Sequence, residues 1–243
     1  MSRQVWIRHL FFILAVVAMG AFIAGCSSAT SGKGETGKGE ENLAQYYAST
    51  EAELGKDKPI YIDKENKKVK VYATVNGKYL VEPTRHGLNW VEGAYGDQAV
   101  LKGYANPLAF YNALIELGLT PAVAKGGDAS KEFEETPEGK VIKGDPLQIT
   151  VTWEGAGKEY DINEVMLDST GKELAYRFGG NYDAALKKMT GCYMCFDSCS
   201  VGITSNASQP VGTFENGKAE FRGNPEVLPQ DGTPVIVTFA PKQ

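Results

Sequence analysis

The chain has 243 residues, with 25 lysines and arginines against 30 aspartates and glutamates, a formal net charge of −5. An acidic balance without a basic patch argues against nucleic acid or anionic lipid head groups as partners. No glycine loop of the Walker or dinucleotide type is present, which argues against the usual nucleotide-binding classes.

Residues 1–26 read MSRQVWIRHLFFILAVVAMGAFIAGC. Arg3 and Arg8 make a positive start, and Leu10 to Ala24 is apolar apart from glycine. That is the pattern of a secretory signal, and the run is short for a spanning helix, which needs roughly 20 residues. Ile23-Ala24-Gly25-Cys26 resembles a bacterial lipobox, in which the signal is cut before the cysteine and that cysteine is acylated. We therefore expect residues 1–25 to be a lipoprotein signal peptide and Cys26 to be a lipid anchor. The expected location is the extracytoplasmic face of a cell membrane, since two or three acyl chains at about 0.8 kcal/mol per buried methylene hold a protein there durably. Residues 26–57 then form the lipidated cysteine and a flexible linker, beginning SSATSGKGETGKGEEN, which lacks the apolar surface to order itself. Within it, residues 43–56 have helix-like spacing and read as a short helix or as more linker.

Residues 58–243 read as one folded domain. Pro59–Ile62 and Val69–Val75 read as a strand pair with outward lysines, and Lys78–Glu82 reads as a further strand. Asn106-Pro107 opens LAFYNALIELGL with a cap residue and a proline at the first helical position, and Gly118 stops it. Leu147–Trp153 alternates strictly, with Lys158–Ile162 as its partner across a glycine-rich turn. Asn181–Met189 reads as a helix. Gly212–Phe214 and Lys218–Phe221 flank Asn216-Gly217, a hairpin signal, and Val235–Phe239 is a buried closing strand. The expected class is α+β, a sheet-dominated single domain with one main helix packed on the sheet.

The order HGLNW, NPLAFYNALIELGL, DPLQITVTW, INEVMLDSTGKELAYRFGGN, SVGITSNAS and a terminal strand resembles the YdjY-like domain of bacterial envelope proteins, from about Lys58 to Lys242. The resemblance implies an exported protein. Some family members bearing a cysteine cluster are labelled ferredoxin-like, so it also hints at iron–sulfur or electron-transfer chemistry.

Cys192, Cys195 and Cys199 form C-x2-C-x3-C, three sulfurs on one short loop or helical turn. A bacterial ferredoxin run carries a fourth cysteine and a proline. Here Ser200 stands at the proline position and Cys26 is committed to lipid. Three explanations stay open. Two sulfurs pair as a structural disulfide in an oxidising compartment, leaving one over. Or three thiolates clasp zinc, copper or iron, with His86, Asp197 or water in the fourth position. Or Cys192 and Cys195 act as a redox dithiol with Cys199 to resolve a mixed disulfide, although their place after a helix end is the wrong one for thiolate stabilisation by a helix dipole. Other enzyme chemistry finds no constellation: there is no nucleophile elbow and no histidine pair. The reading is a membrane-anchored envelope lipoprotein with a three-cysteine loop for metal or electron handling and an envelope or redox protein as partner. The alternative is a non-catalytic binding or scaffolding module stapled by a disulfide.

Overall fold

The computed structural model describes residues 42–243, so the expected signal segment, Cys26 and the glycine-rich start of the tether lie outside the described residues. Leu43–Tyr46 and Glu51–Glu53 are two short 3-10 turns. They lie on the domain: Tyr47 Oη donates to Ala109 O at 2.7 Å, and Tyr47 bridges Ile60.

The domain then runs as follows. Strands β1 (Ile60–Asp63) and β2 (Lys68–Val75) form an antiparallel hairpin, and β2 buries every second residue as its alternating valines require. Next come β3 (His86–Trp90) and β4 (Ala99–Gly103), a parallel pair, and helix α1 (Pro107–Glu116). Strands β5 (Phe133–Thr136) and β6 (Gly139–Ile142) make a separate small hairpin. Strands β7 (Leu147–Thr152) and β8 (Tyr160–Asp161) pair antiparallel. The capped turn of helix α2 (Ile162–Val165) leads into β9 (Met166–Asp168), β10 (Tyr176–Phe178) and α3 (Tyr182–Lys188). The chain ends with β11 (Cys192–Cys195), β12 (Thr204–Asn206), β13 (Phe221–Gly223) and β14 (Pro234–Pro241).

Ten strands form the main sheet, in the order β10-β12-β11-β3-β4-β2-β14-β7-β8, with β1 also on β2. The sheet curls. At its β10 edge Phe178 N donates to Asp145 O at 2.9 Å and Arg177 bridges Pro146, bringing that edge round to the start of β7. Helix α1 fills the curl. Its Asn106 cap accepts from Leu108 N, with proline in the first turn as expected. Phe110, fully buried, sets its ring 5.1 Å from Tyr193 of β11 and 4.6 Å from Phe239 of β14, while Tyr111 packs on Phe178 and Tyr182. Each such aromatic contributes about 1.5–3 kcal/mol by burial. The α+β, sheet-dominated class with one main helix holds.

Two expected elements take another form. Lys78–Glu82 is not a strand: Gly77–Leu80 is a 3-10 turn, because Gly77 N is held by Asp231 Oδ1 at 2.8 Å and the Asn76 side chain by Ala99 O at 3.0 Å. Nor does Asn216-Gly217 make a hairpin. Gly212 has φ 77°, Thr213 Oγ1 donates back to Pro210 O, and the segment closes as successive turns. Phe221–Gly223 pairs instead with β9.

Candidate functional site

Cys192 and Cys195 occupy a strand where a loop or helical turn was expected, and Cys199 follows it. Helix α3 ends at Met189 in a left-handed conformation, and Gly191, φ 88°, turns the chain into β11. A Cβ on Gly191 would lie 3.0 Å from Gly93 Cα and from Trp90 O, so glycine is required on both counts. Strand β11 then inserts between β3 and β12, antiparallel to one and parallel to the other.

A regular strand would send side chains i and i+3 to opposite faces. Here the register against β3 shifts twice, between Cys192 and Met194 and again between Met194 and Cys195. These irregularities rotate the strand as a β-bulge does. Tyr193 turns to the α1 side, where its hydroxyl donates to Ala105 O, while Cys192 and Cys195 reach the same side as His86, which stands directly across from Cys195. One donor atom from each of His86, Cys192 and Cys195 lies within 4.8 Å of the other two, and all three residues are buried. The Cys192 Sγ to His86 Nδ1 separation is 3.4 Å. Neighbouring donors of a tetrahedral ion with metal–sulfur and metal–nitrogen bonds of about 2.3 and 2.0–2.1 Å stand about 3.6 Å apart, so little movement separates this cluster from ligating geometry.

The third sulfur extends the row. Cys195 is completely buried, and its thiol interacts electrostatically with both Cys192 and Cys199. Gly202 supplies the room: a Cβ there would fall 2.6 Å from Cys195 Sγ. Contact with Cys195, then the imidazole, holds the Cys192 thiol well below its ordinary range. The same sulfur contacts and burial push Cys195 up. Cys199 is drawn down to about 7 by Cys195, with backbone N–H groups of Gly202 and Val201 adding to the effect.

Asp197 is placed differently. Its fully buried carboxylate pairs with Arg85 at 3.1 Å and accepts from Phe214 N at 3.3 Å, so it serves the Arg85 guanidinium and not the donor cluster. Arg85 also pairs with Glu215. Backbone contacts fix the segment: Phe196 N donates to Arg85 O, Asn206 Nδ2 to Phe196 O, and the Asn181 amide to both Cys199 O and Gly202 O.

In front of the sulfurs lies a pocket of about 410 Å³. Arg85, His86, Thr190, Cys192 and Cys199 line its inner wall, and Tyr95 and Val211, 43% and 46% exposed, stand at its mouth. The Tyr95 ring stacks on the His86 imidazole at 5.6 Å. Neither Tyr95 nor Val211 carried a signal in the sequence, since a surface aromatic and a surface valine are ordinary when read alone. Among the described residues, no helix is long and apolar enough to cross a membrane.

Comparison with known proteins gives a family and no chemistry. Residues 60–240 match the YdjY domain. A protein of Escherichia coli (strain K12) described as "Uncharacterized protein YdjY" is 43% identical over 187 residues, which cover 76% of this chain and 80% of that one. No solved structure matches. With a domain match across nearly the whole folded part and a relative this similar, the chain belongs to the YdjY domain family.

Proposed function

We propose that this protein is a lipid-anchored envelope protein whose domain binds one thiophilic transition-metal ion through His86, Cys192 and Cys195, with Cys199 beside them. The observation that carries the reading is the convergence of one imidazole and two sulfurs within 4.8 Å in a buried place. Thiolate and imidazole donors suit zinc, copper(I) or iron better than magnesium or calcium, which take oxygen. Donors this close surround the volume of a single ion. A four-iron cluster distributes its thiolates over separate irons, and the missing fourth cysteine also argues for the mononuclear reading over the ferredoxin-like one. The anchor part of the proposal rests on the lipobox-like Ile23–Cys26 and the apolar run before it.

Protein extracted and purified without oxygen, then dialysed against zinc or copper(I), is expected to retain one ion per chain by elemental analysis. Cys192→Ser and His86→Ala should each weaken retention by at least tenfold, in keeping with the loss of one ligand from a three-ligand set. Wild-type protein with intact thiols and no retained ion would overturn the metal reading. A mapped Cys192–Cys195 disulfide in freshly extracted protein would favour the structural staple. For the anchor, Cys26→Ala is expected to move the protein from the membrane to the soluble fraction and to abolish incorporation of labelled fatty acid.

A further inference from the structure

Cys195 has two rival partners. Its sulfur lies within 4.8 Å of the Cys192 and His86 donor atoms, and it also lies close against Gly202, whose carbonyl shares the Asn181 amide with the carbonyl of Cys199. The sulfurs also differ in access. Cys199 lines the pocket and is partly exposed, whereas Cys195 is wholly buried and takes no part in the pocket wall. Cys192 reaches the wall but is only 3% exposed and is held by His86. A molecule entering from solvent therefore meets Cys199 before it can reach Cys195.

We propose that Cys199 is an exchange thiol that takes a sulfur from an external disulfide, and that Cys195 then closes on it, so that the resulting Cys195–Cys199 bond removes one of three ligands and releases the ion. The ion-release half rests on the metal reading above; the exchange half does not. The step balances with the external disulfide as oxidant. The Cys199 sulfur attacks one sulfur of that disulfide, forming a mixed disulfide and displacing one thiolate. The Cys195 sulfur attacks Cys199, forming the internal bond and displacing the second. The two protein sulfurs are oxidised by two electrons and the external disulfide is reduced to two thiols; the Cys199 proton goes to one departing thiolate, and because a ligating Cys195 has already lost its proton to solvent on binding the ion, the other departing thiolate takes its proton from solvent. What remains around the ion is His86 and Cys192, too few donors for a stable site. Disulfides are abundant outside the cytoplasm, where the proposed anchor places the domain.

The geometry favours this pairing over Cys192–Cys195. Cys192 and Cys195 are fixed on a strand with partners on both sides, whereas Cys199 lies beyond the strand, outside regular secondary structure. Its backbone is tied down by the Asn181 amide, so the sulfur, and not the chain, has to move.

The test uses the full mature chain loaded with zinc under anaerobic conditions and then exposed to excess oxidised glutathione. Zinc release is followed with a chromogenic chelator and bond formation by peptide mapping. The wild type is expected to release zinc in step with a Cys195–Cys199 bond. Cys199→Ser, with Cys199→Ala as a second variant, should keep its zinc and release it at least tenfold more slowly. Cys195→Ser should trap glutathione on Cys199, seen as a mass increase on that peptide. Release from Cys199→Ser as fast as from the wild type, or a bond mapped between Cys192 and Cys195, would overturn the proposal. A chain that holds no zinc yet forms the Cys195–Cys199 bond and the trapped adduct would sink the metal reading and the release with it, while leaving the exchange thiol established.

Discussion

Strands β2, β14 and β7 and strands β12, β11 and β3 belong to one sheet, yet they are built on different terms. In the first group β14 keeps a continuous register with β2, from Pro234 opposite Thr74 to Phe239 opposite Val69, and with β7 on its other side. Apart from Thr238, the buried side chains there are hydrocarbon, Val69, Val71, Val75, Val151, Val235, Val237 and Phe239 among them. In the second group the register slips twice within four residues, and the buried residues include His86, Asn89, Thr204, Ser205 and Asn206 beside the cysteines. Two buried hydroxyls at this end, Tyr176 Oη and Ser205 Oγ, have no hydrogen-bond partner. An unsatisfied buried polar group costs about 1–3 kcal/mol. The comparison teaches that the regular strands supply the stability that lets the irregular ones hold polar donors in a fixed place. Departures from local rules of this kind concentrate at functional or strained sites.

That division can be broken most forcefully from the stable side. Phe110→Ala removes a fully buried ring that packs against both groups of strands, and should destabilise the domain by about 3–5 kcal/mol. Denaturant midpoints measure the loss. The protein that remains folded should still retain one ion per chain; loss of the ion from folded variant would show that the two regions are not separable.

The next largest effect is expected at the border of the site. Arg85→Met leaves the Asp197 carboxylate, fully buried, with only the long contact from Phe214 N. Removing one partner of a buried pair costs about 3–5 kcal/mol, and because the Arg85 side chain is 27% exposed the lower end of that range, about 3 kcal/mol, is expected. Adding Asp197→Asn should restore much of the loss. If the double variant is no more stable than the single one, the strain lies in packing and not in the stranded charge.

Gly202→Ala sharpens the comparison within the site itself. The added methyl would lie 2.6 Å from Cys195 Sγ, and overpacking of this kind costs about 1–3 kcal/mol. More telling is the expected tenfold or greater loss of ion affinity at unchanged secondary structure, since the sulfur is what must yield. Unchanged affinity would mean that Cys195 is not a ligand.

How much of this was legible follows the same line. The alternation of Leu147–Thr152 and of Lys68–Val75 states their burial directly, and the Asn106-Pro107 start of α1 carries its own cap chemistry. These elements sit where local pattern and tertiary packing agree. The cysteine spacing was plain, and so was His86 as a candidate partner. That Cys192–Cys195 forms a strand was not, because three cysteines and a serine-rich continuation show no period of two, and the face shared by Cys192, Cys195 and His86 depends on the slipped register with β3. Asp197 had the right residue type for a ligand, but its capture by Arg85 across 112 positions of sequence is a tertiary fact. The strand expected at Lys78–Glu82 failed for a similar reason: Asp231, far along the chain, holds Gly77 in a turn.

The smallest expected effect probes how the irregular end responds to pH. Glu132, 3% exposed, has its carboxyl pushed up to about 7, chiefly by burial; the Asn181 side chain draws it back and nearby Cys199 adds to the rise. The folded protein thus keeps this proton up to about 7, while the unfolded chain gives it up near the ordinary 4.5. Between those values the unfolded state binds fewer protons, so Glu132 makes stability fall as pH rises, and the loss is complete once the folded carboxyl has ionised. Glu132→Gln removes that slope. It should match the wild type near pH 5 and exceed it at pH 8 by about 1–2 kcal/mol, the full shift being discounted for solvent screening. Urea midpoints at the two pH values decide the matter. Because Asn181 also holds Cys199 O and Gly202 O, a gain at pH 8 would assign part of the pH sensitivity to the scaffold behind the sulfurs, and equal midpoints at both pH values would mean that the carboxyl finds a partner or water and contributes no pH dependence there.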